Sequence, residues 1–248
     1  MKSSLKKIIP NSWFRVYSEF KNRNKSAEEV FTEIYKKGYW GKTDGERYFS
    51  GSGTHDANTE KYIDVLIDFI QKYQVKSVFE IGCGDFSIMK KVLANTDLNY
   101  IGADVVPDLI VYLQKNHGNK QRNFIHLDAI ASEQFPNADL CVIRQVLQHL
   151  TNAQVGKILE KTKKFKYVLI TEHVPVYPEV LNGDKSMGGY IRLQNPKTSG
   201  VFLDAPPFSL NCETILSYQK DNEDLNGKIV PALVKTSLVV NRKISQSP

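Results

Sequence analysis

The feature that most constrains this chain is Glu80-Ile81-Gly82-Cys83-Gly84-Asp85, which closes the apolar run 75–81 and precedes a helical pattern opening near Ser87. Strand, glycine turn and helix in that order form a nucleotide-cofactor site. Gly82 and Gly84 let the backbone turn tightly and approach a ligand, and the following helix offers unpaired amides at its N-terminus. A dinucleotide fingerprint requires a third glycine three residues after the second, where helix and strand pack closely. Ser87 stands there, so NAD is disfavoured.

The acid two residues before Gly82 makes the pattern E-x-G-x-G, which resembles the first motif of the class I S-adenosylmethionine (SAM)-dependent methyltransferases. The resemblance implies that Gly82, Cys83, Gly84 and Asp85 contact the amino-acid end of SAM and that Glu80 orients its ammonium, a pairing that charge complementarity favours. Two further acids follow in order. Residues 99–104 read as a second strand ending in Asp104, whose carboxylate, with Val105 beside it, can accept both hydroxyls of a ribose. Residues 123–129 read as a third strand, and Asp128 with Ala129 matches the family's acid beside the adenine amino group. Residues 139–145 read as strand four, carrying Arg144 as a further cofactor contact, and 167–171 as strand five. Strands alternating with helical stretches imply a parallel sheet. The expected fold is α/β: a Rossmann-like, doubly wound, seven-stranded sheet, mostly parallel with an antiparallel C-terminal strand, plus an N-terminal helical extension. Two glycines after a strand are often only a tight turn, and a single Asp is commonly a helix cap. Three strand-end acids, each one βα unit apart, point jointly to SAM.

At 248 residues and 41% hydrophobic, the chain can bury a full core. No apolar run approaches the roughly 18 residues of a membrane span, and no secretory signal marks Met1, so a soluble, cytoplasmic protein is expected. Cys83, Cys141 and Cys212 are widely spaced and odd in number, which reads as reduced packing residues. No carboxylate and histidine group has ligand spacing, so no metal is expected. The net charge of +6 raises the question of nucleic acid. Residues 1–25, however, hold seven Lys or Arg against one acid, Glu19, and account for the whole excess. Nucleic acid is therefore disfavoured. The arm interleaves its bases with Leu5, Ile8, Ile9, Trp13, Phe14, Val16, Tyr17 and Phe20. Such a segment lies on an anionic membrane surface, here the inner membrane, or packs on its own domain; Pro10, interrupting the pattern, favours packing.

Residues 26–74 read as a helical cap with helices over 27–37 and 60–73, by three-four apolar spacing. The loop between them, rich in glycine, hydroxyls and aromatics, is expected to touch ligand through Trp40 and Ser52. Residues 75–248 form the SAM-binding core with an acceptor-side insertion at 178–208. The stretches F-T-E-I-Y-K-K-G-Y-W-G at 31–41, S-G-S-G at 50–53 and P-P-F at 206–208 resemble a bacterial subgroup of class I methyltransferases found among surface-polysaccharide genes. The similarity spans roughly residues 30–240. It departs at Glu80, in a motif where D-x-x-C-G-D is common, and at Gln145, where Arg-Asp is common.

Methyl transfer to a hydroxyl needs in-line alignment and help with a proton. His149, in the loop after strand four, and His173, after strand five, are the candidate bases, because parallel folds place ligands at strand carboxyl ends. In the glycine-rich insertion, Tyr190 and Arg192 suit stacking on a sugar and pairing with a uronate or phosphate, or else belong to a solvated β-hairpin. Residues 214–218 and 236–241 suit an antiparallel pair finishing the sheet. The reading is a SAM-dependent O-methyltransferase acting on a carbohydrate, sugar-nucleotide or polysaccharide-linked acceptor. An RNA methyltransferase using the basic arm and a noncatalytic SAM-binding subunit are the alternatives, and the oligomeric state is left open.

Overall fold

The parallel strands read as near-continuous apolar runs, which only a sheet covered on both faces can accommodate. The computed structural model describes residues 11–42, 45, 47–54, 56 and 58–241, with the side chains of 11–14 and 16 excepted. The elements are α1 (Asn11–Asn22), α2 (Ala27–Lys37), α3 (Thr59–Lys72), β1 (Ser77–Ile81), α4 (Ser87–Ala94), β2 (Asn99–Asp104), α5 (Pro107–His117), β3 (Arg122–His126), β4 (Leu140–Arg144), α6 (Asn152–Thr162), β5 (Tyr167–Pro175), β6 (Glu213–Gln219), β7 (Asn222–Glu223), β8 (Ile229–Val230) and β9 (Ala232–Val240). Seven strands form one sheet in the order β3-β2-β1-β4-β5-β9-β6, and β7 with β8 makes a small separate ribbon. The first five are parallel, and β9 runs antiparallel to both β5 and β6. The antiparallel strand is thus second from the edge, while β6 at the edge points the same way as β5.

Alternation along each strand divides the core between two faces. Val78, Leu140 and Val142 pack with Leu66 of α3, Met89 of α4 and Leu109 of α5. Phe79, Cys141 and Ile143 pack on the other face with Val30 of α2 and Ile158 of α6. All three cysteines are free, Cys83 and Cys141 buried and Cys212 half-buried. Helix α2 follows its local signals: Ser26 and Glu29 form a reciprocal capping box, and Gly38 closes the helix in the left-handed conformation.

Strand β5 reaches Pro175 instead of ending near Thr171, because β9 pairs with it along nine residues from Tyr167 to Pro175. The insertion after β5 is no β-hairpin. It is irregular apart from a single 3₁₀ turn at Arg192–Gln194. Of the basic N-terminal arm, residues 1–10 and the side chains of Trp13 and Phe14 lie outside the described residues. The described part, α1, docks on the insertion: Arg15 is buried and donates to Gln194 O at 2.6 Å and Asn195 Oδ1 at 2.8 Å while pairing with Glu19. Within residues 11–25, packing on the domain prevails at Arg15. No described helix is long and apolar enough to cross a membrane.

Candidate active site

The strand order reverses between β1 and β4, and a crevice opens beyond the carboxyl ends of the strands at such a point. The glycine turn fills one side of it. Gly82 has φ +71° and Gly84 φ +54°, a region that L side chains rarely enter. A Cβ on Gly82 would stand 2.4 Å from Val146 Cγ2, and one on Gly84 2.4 Å from Ser50 Oγ. Backbone conformation and space both demand glycine. Asp85 ties the turn to the N-terminal loop, accepting from Ser50 N at 2.8 Å and Ser87 N at 3.1 Å.

Glu80, Gly82, Cys83, Gly84, Asp85, Asp104, Val105, Asp128, Ala129 and Arg144 all line one pocket with about 1000 Å³ of free space. Separate βα units deliver them to the same end of the sheet. Asp104, at the tip of β2, accepts from Gly84 N at 3.2 Å and Val106 N at 3.1 Å, and burial pushes its carboxyl up to about 6. Glu80 accepts a hydrogen bond from Tyr100 Oη, and its burial raises it to about 8. Asp128 accepts from Ile130 N at 2.7 Å and Ala131 N at 3.2 Å, so it caps its own loop as well as facing the pocket. Burial likewise raises the Cys83 thiol, which keeps it protonated and poorly nucleophilic. Arg144 donates to Gly53 O at 2.8 Å and lies over the Tyr62 ring. Its Nε is buried with no hydrogen-bond partner, as is Ser87 Oγ in the first turn of α4.

His149 lines the same pocket from a 3₁₀ turn spanning Leu147–His149. Its Nδ1 donates to Gly188 O at 3.1 Å, which fixes the tautomer and leaves Nε2 as the acceptor. The ring lies against Trp40, centroids 5.2 Å apart, and edge-on to Phe31 at 6.3 Å. This apolar enclosure, reinforced by the nearby Lys185 ammonium, pushes the imidazole down to about 3. A candidate base whose imidazole lies so low holds a proton poorly. His149 stays neutral at physiological pH.

Three other expected contacts are elsewhere. His173 lies within β5, opposite Val234, and its Nε2 donates to Lys220 O at 2.5 Å, away from the pocket. Arg192 is fully buried, donating to Asn152 Oδ1, Gly183 O and Leu150 O, so its guanidinium binds the insertion to the core and offers no face to an anion. Ser52 is exposed and outside the pocket; its loop neighbours Ser50 and Thr54 line it instead. Trp40 lines the pocket, and Tyr190 lines an adjoining groove that shares Trp40 as a wall.

Sequence reasoning passed over Tyr35, Ser50 and Glu172. Tyr35 and Ser50 share a hydrogen bond at 2.9 Å and both line the pocket. Glu172, 2% exposed, accepts from Leu147 N at 2.9 Å and Gln148 N at 3.0 Å, holding the turn that carries His149. A lone acid in a strand whose other residues are all uncharged or histidine was the available signal.

The sheet order, with its reversal between β1 and β4, defines a Rossmann-like α/β fold. No protein-family model matches the chain, and neither does any curated protein sequence. Among solved structures, it is similar to 1,6-didemethyltoxoflavin-N1-methyltransferase of Burkholderia thailandensis with 1,6-didemethyltoxoflavin and S-adenosylhomocysteine (SAH) bound, at 13% identity and TM-score 0.54, over 94% of this chain and 91% of that one. It is similar to the N-terminal domain of EvdMO1, solved in the presence of SAH and D-fucose, at 10% identity and TM-score 0.51, over 86% and 96%. A third is TehB of Haemophilus influenzae, at 17% identity and TM-score 0.51, over 75% of this chain and 66% of that one. Likeness at these identities is likeness of fold.

Proposed function

We propose that the chain is a SAM-dependent methyltransferase that methylates a hydroxyl of a carbohydrate, sugar-nucleotide or polysaccharide-linked acceptor. The observation that carries this reading is the single pocket lined by the Gly82–Gly84 turn, Asp104 and Asp128 together with His149 and Trp40. The residues fit SAM. Gly82 and Gly84 hold the turn left-handed at the pocket wall, with Val146 and Ser50 packed where a Cβ would stand, and two buried polar atoms of pocket residues, Ser87 Oγ and Arg144 Nε, lack protein partners. Asp104 would accept from the ribose hydroxyls, Asp128 and Ala129 would flank the adenine, and Glu80 would orient the ammonium. SAM would supply an activated methyl group on a sulfonium, whose neutral thioether is a good leaving group.

What is asked of the protein is then alignment and water exclusion. Neutral His149 accepts a hydrogen bond from the acceptor hydroxyl at Nε2 and orients it; the proton released as the methyl C–O bond forms passes to solvent, because an imidazole held near 3 does not retain it. Trp40 and Phe31 close the apolar wall beside it. The presence of D-fucose in the EvdMO1 domain structure supports a sugar acceptor, whereas the toxoflavin enzyme acts on nitrogen. The same fold serves both chemistries.

Calorimetric titration with SAM, SAH and NAD tests the reading. SAM and SAH are expected to bind and NAD to fail, and Asp104→Ala is expected to weaken SAM by about tenfold or more through loss of the ribose acceptors. Binding of NAD alone, or of none of the three, would overturn it.

A further inference from the structure

The groove beyond Trp40 has about 1320 Å³ of free space between α1, α2 and the insertion. Its wall is shared with the cofactor pocket, since Trp40 lines both and its Nε1 donates to Gly189 O at 3.3 Å. Three tyrosines open onto it. Tyr17 is 66% exposed and Tyr39 64%, while Tyr190 is half-buried. Exposed rings around a concavity suit the flat apolar face of a sugar. Ser18, Asn22 and Gln194 supply neutral hydrogen-bonding groups at the same groove.

Charge makes the choice sharper. Lys21 and Lys37 line the groove and both pair with Glu33 Oε1, while Lys25 takes Oε2. Three ammoniums on one carboxylate hold Glu33 ionised well below its usual range, Lys21 first among them, and the two that line the groove outnumber its carboxylate by one. Arg192, the earlier candidate for pairing with an anion, is fully buried.

We infer that this groove is the acceptor subsite and that it takes an acidic sugar, a pyranose ring bearing a carboxylate or a phosphate. The inference rests on the methyltransferase reading and names its substrate class. The ring stacks between Tyr39 and Tyr190, the acid meets Lys21 and Lys37, and a hydroxyl passes Trp40 toward His149, whose ring lies 5.2 Å from the indole.

The test uses the full chain with saturating SAH and four probes: methyl glucoside, glucuronate, glucose 6-phosphate and inorganic phosphate, followed by saturation-transfer NMR and calorimetry. One or both acidic sugars are expected to bind more tightly than either methyl glucoside or phosphate; which one wins separates carboxylate from phosphate recognition. Lys21→Gln with Lys37→Gln is expected to cost the acidic sugar about tenfold and to leave SAH affinity unchanged. Tyr190→Ala, which leaves the charges in place, is expected to weaken glucuronate, glucose 6-phosphate and methyl glucoside alike. Equal binding of sugars with and without the acid, phosphate binding as tightly as the acidic sugars, or a double variant with unaltered preference would overturn the assignment. Failure of SAH itself to bind the wild-type chain would instead overturn the methyltransferase reading on which it stands.

Discussion

Ser50 and Asp85 are joined twice: Asp85 N donates to Ser50 Oγ at 2.7 Å, and Ser50 N donates to the Asp85 carboxylate at 2.8 Å. The pair clamps the N-terminal loop across the glycine turn, and Tyr35 Oη meets the same Ser50 Oγ. The cap is therefore part of the pocket. Ser50→Ala leaves Asp85 N and Tyr35 Oη short of a partner, at a cost of about 1 kcal/mol in a half-buried setting. Calorimetry is expected to show SAM bound several-fold more weakly by the variant. An unchanged dissociation constant would mean that the loop is held by other contacts.

Two glycines give a matched pair. Gly82→Ala meets both a φ of +71° and a Val146 methyl at 2.4 Å, so it is expected to destabilise the chain by at least about 1–3 kcal/mol and to abolish SAM binding. Gly156→Ala, in α6 with nothing within 4 Å of the new Cβ, is expected to stabilise by about 0.5–1 kcal/mol. Urea melts of the two variants would have to move in opposite directions.

His149 is expected to hold one neutral form, protonated at Nδ1, from pH 8 to below about 5, as read by long-range ¹H–¹⁵N NMR. Its folded value of about 3 lies below the unperturbed 6.5. As pH falls, the unfolded chain takes up this proton first, so the contribution is complete above 6.5 and is lost between 6.5 and 3. A ring titrating near 6.5 would restore it as a general base.

Glu172 carries the opposite sign. Burial raises it from 4.5 to about 8 against the pull of two amide donors, so the folded state keeps the proton longer than the unfolded one. This contribution is complete below 4.5 and lost as pH rises through about 8. Glu80 behaves alike. Melting temperature is expected to fall between pH 6 and 9, and less steeply in Glu172→Gln. The variant also loses one of its two backbone acceptors, so the turn under His149 loosens; kcat should drop several-fold with SAM affinity preserved. Parallel pH slopes in the two proteins would show that another group titrates.

Periodicity and turn chemistry are local, so helix 27–37, strand 99–104 and the strand-turn-helix at Gly82 could be read directly from the residues. So could the roster around the glycine turn, because an acid at the end of each parallel strand must arrive at the same edge of the sheet. The length of β5 could not be read, since its last residues are strand only through pairing with β9. His149 and His173 looked equivalent as histidines after successive strands. The turn held by Glu172 brings His149 to the pocket, whereas the pairing with β9 keeps His173 in the sheet. Ser50 and Ser52 differ by two residues in one motif, and only contact with Asp85 chooses between them. The sequence by itself determined the sheet, the glycine cradle and the acids facing it, because strand alternation and glycine's conformational freedom act over a few residues. The tertiary structure alone decided which histidine and which serine line the pocket, because burial and long-range hydrogen bonds arise only when distant segments pack. That packing turned Arg192 from a candidate anion ligand into a strut of the core.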